Sequence, residues 1–125
     1  MPKGTATLIV GEYNGIPKFS INGNFIPLTG GDNTVDFHYE YGKNLVFEMS
    51  GKERNDTMVV DNEVIADKYI ILDSLSLDYI VIENWQLHTH IWDNFFSTNE
   101  QKTLSVPDKD NFPLWCMKLS GTTET

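Results

Sequence analysis

The chain reads as an all-β protein, a β-sandwich of jelly-roll-like type, with a small closed β-barrel as the alternative. Three observations carry that expectation. Apolar and polar residues alternate with period two along most of the chain. Turn-forming residues recur at short intervals between those runs. No stretch keeps a 3.6-residue apolar period over two helical turns. At 125 residues and 40% hydrophobic, the chain suits one domain spanning residues 1–125 around a single core. Its tail, from about 121 to 125, is expected to fray.

Taken in order, Thr5 to Val10 and Phe19 to Ile21 are short strands on either side of Tyr13-Asn14-Gly15, where Asn-Gly favours positive φ. Ile21-Asn22-Gly23-Asn24-Phe25-Ile26 holds a further turn between apolar residues, and Thr29-Gly30-Gly31-Asp32-Asn33 is a loop. Val35 to Tyr41 alternates cleanly, with Val35, Phe37, Tyr39 and Tyr41 on one face and Asp36, His38 and Glu40 on the other. Asn44 to Ser50 puts Leu45, Phe47 and Met49 together. The intervening Gly42-Lys43 reads as a tight turn, so these two strands are expected to form a hairpin.

Tyr69 to Leu72 and Leu77 to Ile82 are the most β-rich runs, and Asp73 to Ser76 between them either continues one strand or bends it. Gln86 to Trp92 alternates again. A last strand is expected after Pro113, with Trp115, Met117 and Leu119 on one face. The expected core comprises Leu8, Val10, Phe37, Tyr39, Leu45, Phe47, Ile71, Leu77, Val81, Leu87, Ile91, Trp115 and Met117.

Eighteen acidic residues against nine basic ones leave a net charge of -9, which repels phosphate backbones and argues against nucleic acid as a partner. A single cysteine, Cys116, rules out an intramolecular disulfide. No apolar stretch follows Met1-Pro2-Lys3-Gly4 in the manner of a signal peptide, and no run approaches the roughly 18 apolar residues of a membrane span. Synthesis in a cytoplasm is expected, and action outside a cell would need release by lysis or as part of a particle such as a virion.

Nothing in the motifs points to catalysis. There is no nucleophile elbow, no cysteine-centred signature and no phosphate loop, since Gly30-Gly31 is followed by neither a lysine nor a helix. The sharpest local signal is His88-Thr89-His90. Residues two apart on a strand point to the same side, so both imidazoles reach one metal, and a homotrimer would gather six of them on its axis. That arrangement resembles the His-x-His sites of phage tail spikes and fibre tips. The plain alternative is a solvated strand face.

An acid and amide series, with Asn55, Asp56, Asp61, Asn62, Glu63 and Asp67, supplies the hard oxygen ligands that calcium takes, at spacings unlike an EF-hand. Asp56, Asp61 and Asp67 are the candidate metal ligands, with ordinary turn chemistry as the competing explanation. Trp85 and Trp92 bracket the histidine-bearing strand. An exposed indole stacks on the C–H face of a sugar ring, so Trp85, Trp92, His88 and His90 form the candidate ligand-binding set.

Asn44 to Met49, the acidic loop with Asn55-Asp56, and Asp67-Lys68-Tyr69-Ile70-Ile71-Leu72 running on to Asp78 together resemble the calcium-dependent xylan-binding carbohydrate-binding modules. The resemblance covers about a third of the chain. It implies a jelly-roll sandwich with loop-bound calcium and sugar recognition. Lys68-Tyr69 stands where that family has Arg-Asn, and Leu77-Asp78-Tyr79 replaces its Val-Asn-Gly ending. A disulfide-free sandwich also resembles bacteriophage virion components of the tail, fibre or capsid-decoration kind. Two functions are therefore expected in order: a non-enzymatic carbohydrate-binding module on a virion, or a purely structural virion protein that docks on neighbouring subunits through its edges.

Overall fold

The computed structural model describes residues 2–77, 80–84, 87 and 93–119. Strand accounts for 58% and helix for 9%, and the antiparallel sheets are not closed into a barrel, so the molecule is an all-β sandwich. Among the described residues the strands are β1 (Lys3–Gly11), β2 (Lys18–Ile21), β3 (Asn24–Ile26), β4 (Gly31–His38), β5 (Asn44–Ser50), β6 (Thr57–Val60), β7 (Glu63–Asp67), β8 (Tyr69–Leu77), β9 (Ile80–Glu83), β10 (Phe95–Phe96) and β11 (Glu100–Ser105). The helix α1 (Phe112–Leu119) follows them.

The first sheet runs β10-β8-β1-β4, with β9 also pairing β8, and the second runs β11-β5-β2-β3. One core cluster joins them. Aromatic rings bridge the gap: Phe19 of β2 meets Phe96 of β10 edge-on at 5.9 Å, and Phe37 of β4 meets Phe47 of β5 at 6.4 Å. Edge-to-face contacts of this kind match the positive rim of one ring to the negative face of the next.

Three expectations are corrected by this packing. The strands on either side of Gly42-Lys43 are not a hairpin, because β4 pairs β1 and β5 pairs β2 and β11 in the opposite sheet. Both strands bury their alternating apolar face, so the chain arches across the core and the two faces meet. The arch is held by Gly42 at φ +77, whose N–H donates to the Pro107 carbonyl.

Ile71 and Val81 are not core residues. In β8 the partner register jumps from Thr7↔Ser74 to Leu8↔Leu72, leaving Asp73 as an extra residue. That bulge flips the alternation, so Ile70 and Leu72 point inward before it and Leu75 and Leu77 after it. Ile71 then faces outward, half-buried. On β9 the inward residue is Ile82, and Val81 is 53% exposed.

The segment after Pro113 is the helix α1, not a strand. Pro113 lies in its first turn, where a missing N–H leaves no hydrogen bond unmade. The Asn111 carbonyl accepts the first helical bond, from the Trp115 N–H at 3.1 Å. Phe112 is fully buried against Tyr39 and Tyr41, and Trp115 packs half-buried behind it. Of the remaining expected core, Leu8, Val10, Phe37, Tyr39, Leu45, Phe47, Leu77 and Leu87 are buried. Ile91 and the Met117 side chain lie outside what is described.

The hairpin β6–β7 belongs to neither sheet. It closes with Asp61 and Asn62, both at positive φ (52 and 68), the backbone of a two-residue turn that matches strand twist. We refer to it as the arm.

Candidate functional site

The acidic residues expected to bind metal sit at the two ends of this arm. At its base, Asp56 is buried and forms an ion pair of 2.8 Å with Lys68, which is equally buried. Asp56 also accepts the Glu53 N–H at 2.8 Å, and its backbone carbonyl accepts the Lys68 N–H. The Lys68 hydrogen bond and then the Glu53 N–H hold the Asp56 carboxyl below its ordinary value, against burial.

Asp67 pairs with Lys52 at 2.6 Å and accepts the Thr57 hydroxyl at 2.6 Å. Burial pushes its carboxyl up, but Lys52, Thr57 and the Lys68 N–H together outweigh that and the net shift is downward. Asp61 stands at the far tip, about 13 Å of extended strand from that base. The three carboxylates are thus not brought together. Two are neutralised by lysines, and Asp61 serves the turn. Among the described residues no group of three or more His, Cys, Asp or Glu converges as metal ligands would.

Trp85, His88, His90 and Trp92 lie outside the described residues. The described part presents two other features suited to a ligand. The first is an open groove of about 580 Å³ where the edge strand β4 of one sheet approaches the edge strand β3 of the other. Its floor is Ile21, Ile26, Phe37 and Tyr39, and its rim carries Asn22, Asn24, Asp36, His38, Glu40, Lys43 and Asn44. Asp36 accepts the Thr5 hydroxyl at 3.0 Å and pairs with Lys3 at 3.3 Å, and these contacts hold its carboxyl below the ordinary range.

The second feature lies on the outer face of the second sheet. Phe25 is 65% exposed, the most exposed aromatic among the described residues. It pairs in register with Ser20, Ser20 with Glu48, and Glu48 with Gln101. Because Phe19, Ile21, Phe47 and Met49 point inward, Ser20 and Glu48 between them point outward, and Phe25 and Gln101 share that face. A row results across four strands: one aromatic ring, then a hydroxyl, a carboxylate and an amide. At the spacing of paired strands it spans about 14 Å.

The hairpin that carries Phe25 is fixed by its own turn. Asn22 and Gly23 both adopt positive φ, and the Asn22 side chain accepts the Val46 N–H at 2.8 Å while its own N–H donates to the Val46 carbonyl. These two hydrogen bonds tie the turn to β5. The sequence signal for the row was weak, since Phe25 followed a turn and only the pairing register shows which side it takes.

Among the described residues no helix is long and apolar enough to cross a membrane. No family model matches the chain, and neither a curated protein nor a solved structure matches it.

Proposed function

We propose that the chain is a non-enzymatic carbohydrate-binding β-sandwich and that it serves as a bacteriophage virion component. The observation that carries the sugar reading is the Phe25 row. A pyranose ring presents apolar C–H groups on one side and hydroxyls at its edge. Phe25 offers the apolar face, and Ser20, Glu48 and Gln101 offer a donor-acceptor hydroxyl, an acceptor and an amide at successive strand spacings. The groove on the other side of β3, rimmed by Asn22 and Asn24, extends the polar surface for a longer glycan. Trp85 and Trp92 remain proposed as further stacking rings, with His88 and His90 beside them.

The test is a glycan array, with titration of any hit by calorimetry. Phe25→Ala should lower affinity at least tenfold, on the order of 1.4 kcal/mol, with an unchanged Tm. Equal binding by the variant would move the site elsewhere, and Trp92→Ala would then test the segment that carries His88 and His90. Calcium is the second variable. If Asp56, Asp61 or Asp67 holds it, calcium raises Tm by mass action and chelator lowers it, whereas an unmoved transition removes calcium from the reading.

The second reading, a purely structural virion protein with no sugar ligand, is favoured by a different observation, the aliphatic arm. Absence of any array hit together with stable self-association would select it.

A further inference from the structure

The arm exposes more aliphatic surface than any other element described. Met58 is 41% exposed, Val59 56%, Val60 47%, Val64 60% and Ile65 58%. A two-stranded hairpin alone is marginally stable in water, and bare apolar strands with free edges invite pairing. Yet this arm is held firmly. Two ion pairs, Asp56–Lys68 and Asp67–Lys52, clamp its base, and the Thr57 hydroxyl ties β6 to β7 there by donating to Asp67. Such anchoring orients a surface for something outside the chain.

We propose that the arm is a dimerisation element, and that two copies of the chain pack their arms antiparallel about a two-fold axis. Three features of the arm select a second copy as the occupant. The first is fit. The register jumps between Met58 and Val59, so Val64 and Ile65 together oppose Val59 and concentrate apolar groups. Val64 and Ile65 also wall a cleft of about 410 Å³ against Gly11, Glu12 and Tyr69. The same patch therefore offers both a ridge and a receiving cleft, which is what a two-fold interface requires.

The second is area. Five half-exposed side chains present on the order of 400 Å² per arm, so two arms contribute on the order of 800 Å², the scale of a weak, reversible interface. The third is charge. At a net -9, two copies repel, and Met58 to Val60 and Val64 to Ala66 form a stretch without a charged residue. The carboxylates Asp61 and Glu63 flank the turn. Antiparallel packing sends the two acidic tips to opposite ends of the interface, whereas parallel packing would press them together.

Sedimentation velocity of the full chain tests this. The wild type should run as a dimer at about 100 µM and dissociate on dilution, and Ile65→Asp should weaken association about tenfold or more. Ile65 is exposed, so its variant should keep the parent's circular dichroism and Tm. A monomeric wild type, a trimer, or an Ile65→Asp variant of unchanged mass would each overturn the proposal. Cross-linking probes the geometry independently. In a Cys116→Ser background, Val59→Cys near the arm's centre should oxidise to a covalent dimer faster than Asp110→Cys on a distant surface. Equal rates would overturn the antiparallel arrangement. Neither readout involves sugar, so the glycan reading stands or falls separately.

Discussion

The hairpins β2–β3 and β6–β7 begin alike and end differently. Each is closed by two residues at positive φ, Asn22-Gly23 in one and Asp61-Asn62 in the other. In β2 the sequence Lys18-Phe19-Ser20-Ile21 alternates, and Phe19 and Ile21 are buried, so the hairpin is drawn into the sandwich. In β6, Met58, Val59 and Val60 are consecutive apolar residues, and all three are exposed. Turn chemistry thus makes a hairpin in both places, and alternation decides whether the core takes it in. The difference extends to the exposed faces. The first hairpin shows an aromatic ring in a polar row, suited to a sugar. The second shows a run of aliphatic side chains behind an acidic tip, suited to protein.

The largest expected effect tests the buried side of that contrast. Phe47→Ala should cost about 3–5 kcal/mol, since Phe47 is fully buried, stacked on Phe19 and edge-to-face with Phe37. Val64→Ala in the arm should change monomer stability by less than about 0.5 kcal/mol. Urea denaturation at dilutions below the dimer range checks both, and comparable losses would erase the distinction drawn here.

Next comes the clamp at the base of the arm. Lys68→Met leaves the Asp56 carboxylate buried without its cation, so Tm should fall and amide exchange across Thr57–Val60 should quicken. The fall should exceed that of Lys52→Met, because Lys52 and Asp67 are less buried. An arm that exchanges no faster in Lys68→Met would show that the ion pair does not fasten it.

The same clamp sets a pH dependence. Asp56 and Asp67 are held below the ordinary carboxylate value of 3.8 in the folded chain. Depressed folded values favour the native state above 3.8, and that contribution is lost as pH falls through the lower, folded values. Tm should therefore drop on acidification below that point, and the double variant Lys52→Met with Lys68→Met should flatten the drop.

The smallest effect lies in the two turns. Asn62→Gly should change stability by no more than a few tenths of a kcal/mol, because glycine accepts positive φ freely. Asn62→Val should cost about 1–2 kcal/mol.

How far the sequence foretold this follows from physical reasons. Alternation in Val35–Tyr41 and Asn44–Ser50 picked out Phe37, Tyr39, Leu45 and Phe47, because one face of each strand is buried. Alternation alone does not say which strand partners which, so an arch between sheets read as a hairpin. A bulge adds one residue without any marker, and Asp73 therefore inverted the reading of Ile71. Helix α1 is too short for a helical period to emerge, and Pro113 suits a strand boundary as well as a first helical turn. The candidate sites were less legible. Asp56, Asp61 and Asp67 looked like one ligand set, yet pairing separates Asp61 from the others along the arm and gives Asp56 and Asp67 lysine partners. Phe25 carries no signal in the sequence alone, since its exposure depends on a register that only the assembled sheet defines.

The most direct test of the division between the two hairpins is glycan binding measured side by side for the parent, Phe25→Ala and Ile65→Asp. The parent and Ile65→Asp should bind the same glycan with equal affinity per chain. Phe25→Ala should lose binding while retaining the parent's Tm and mass. Retained binding in Phe25→Ala, or loss in Ile65→Asp, would contradict the assignment of sugar to one hairpin and self-association to the other.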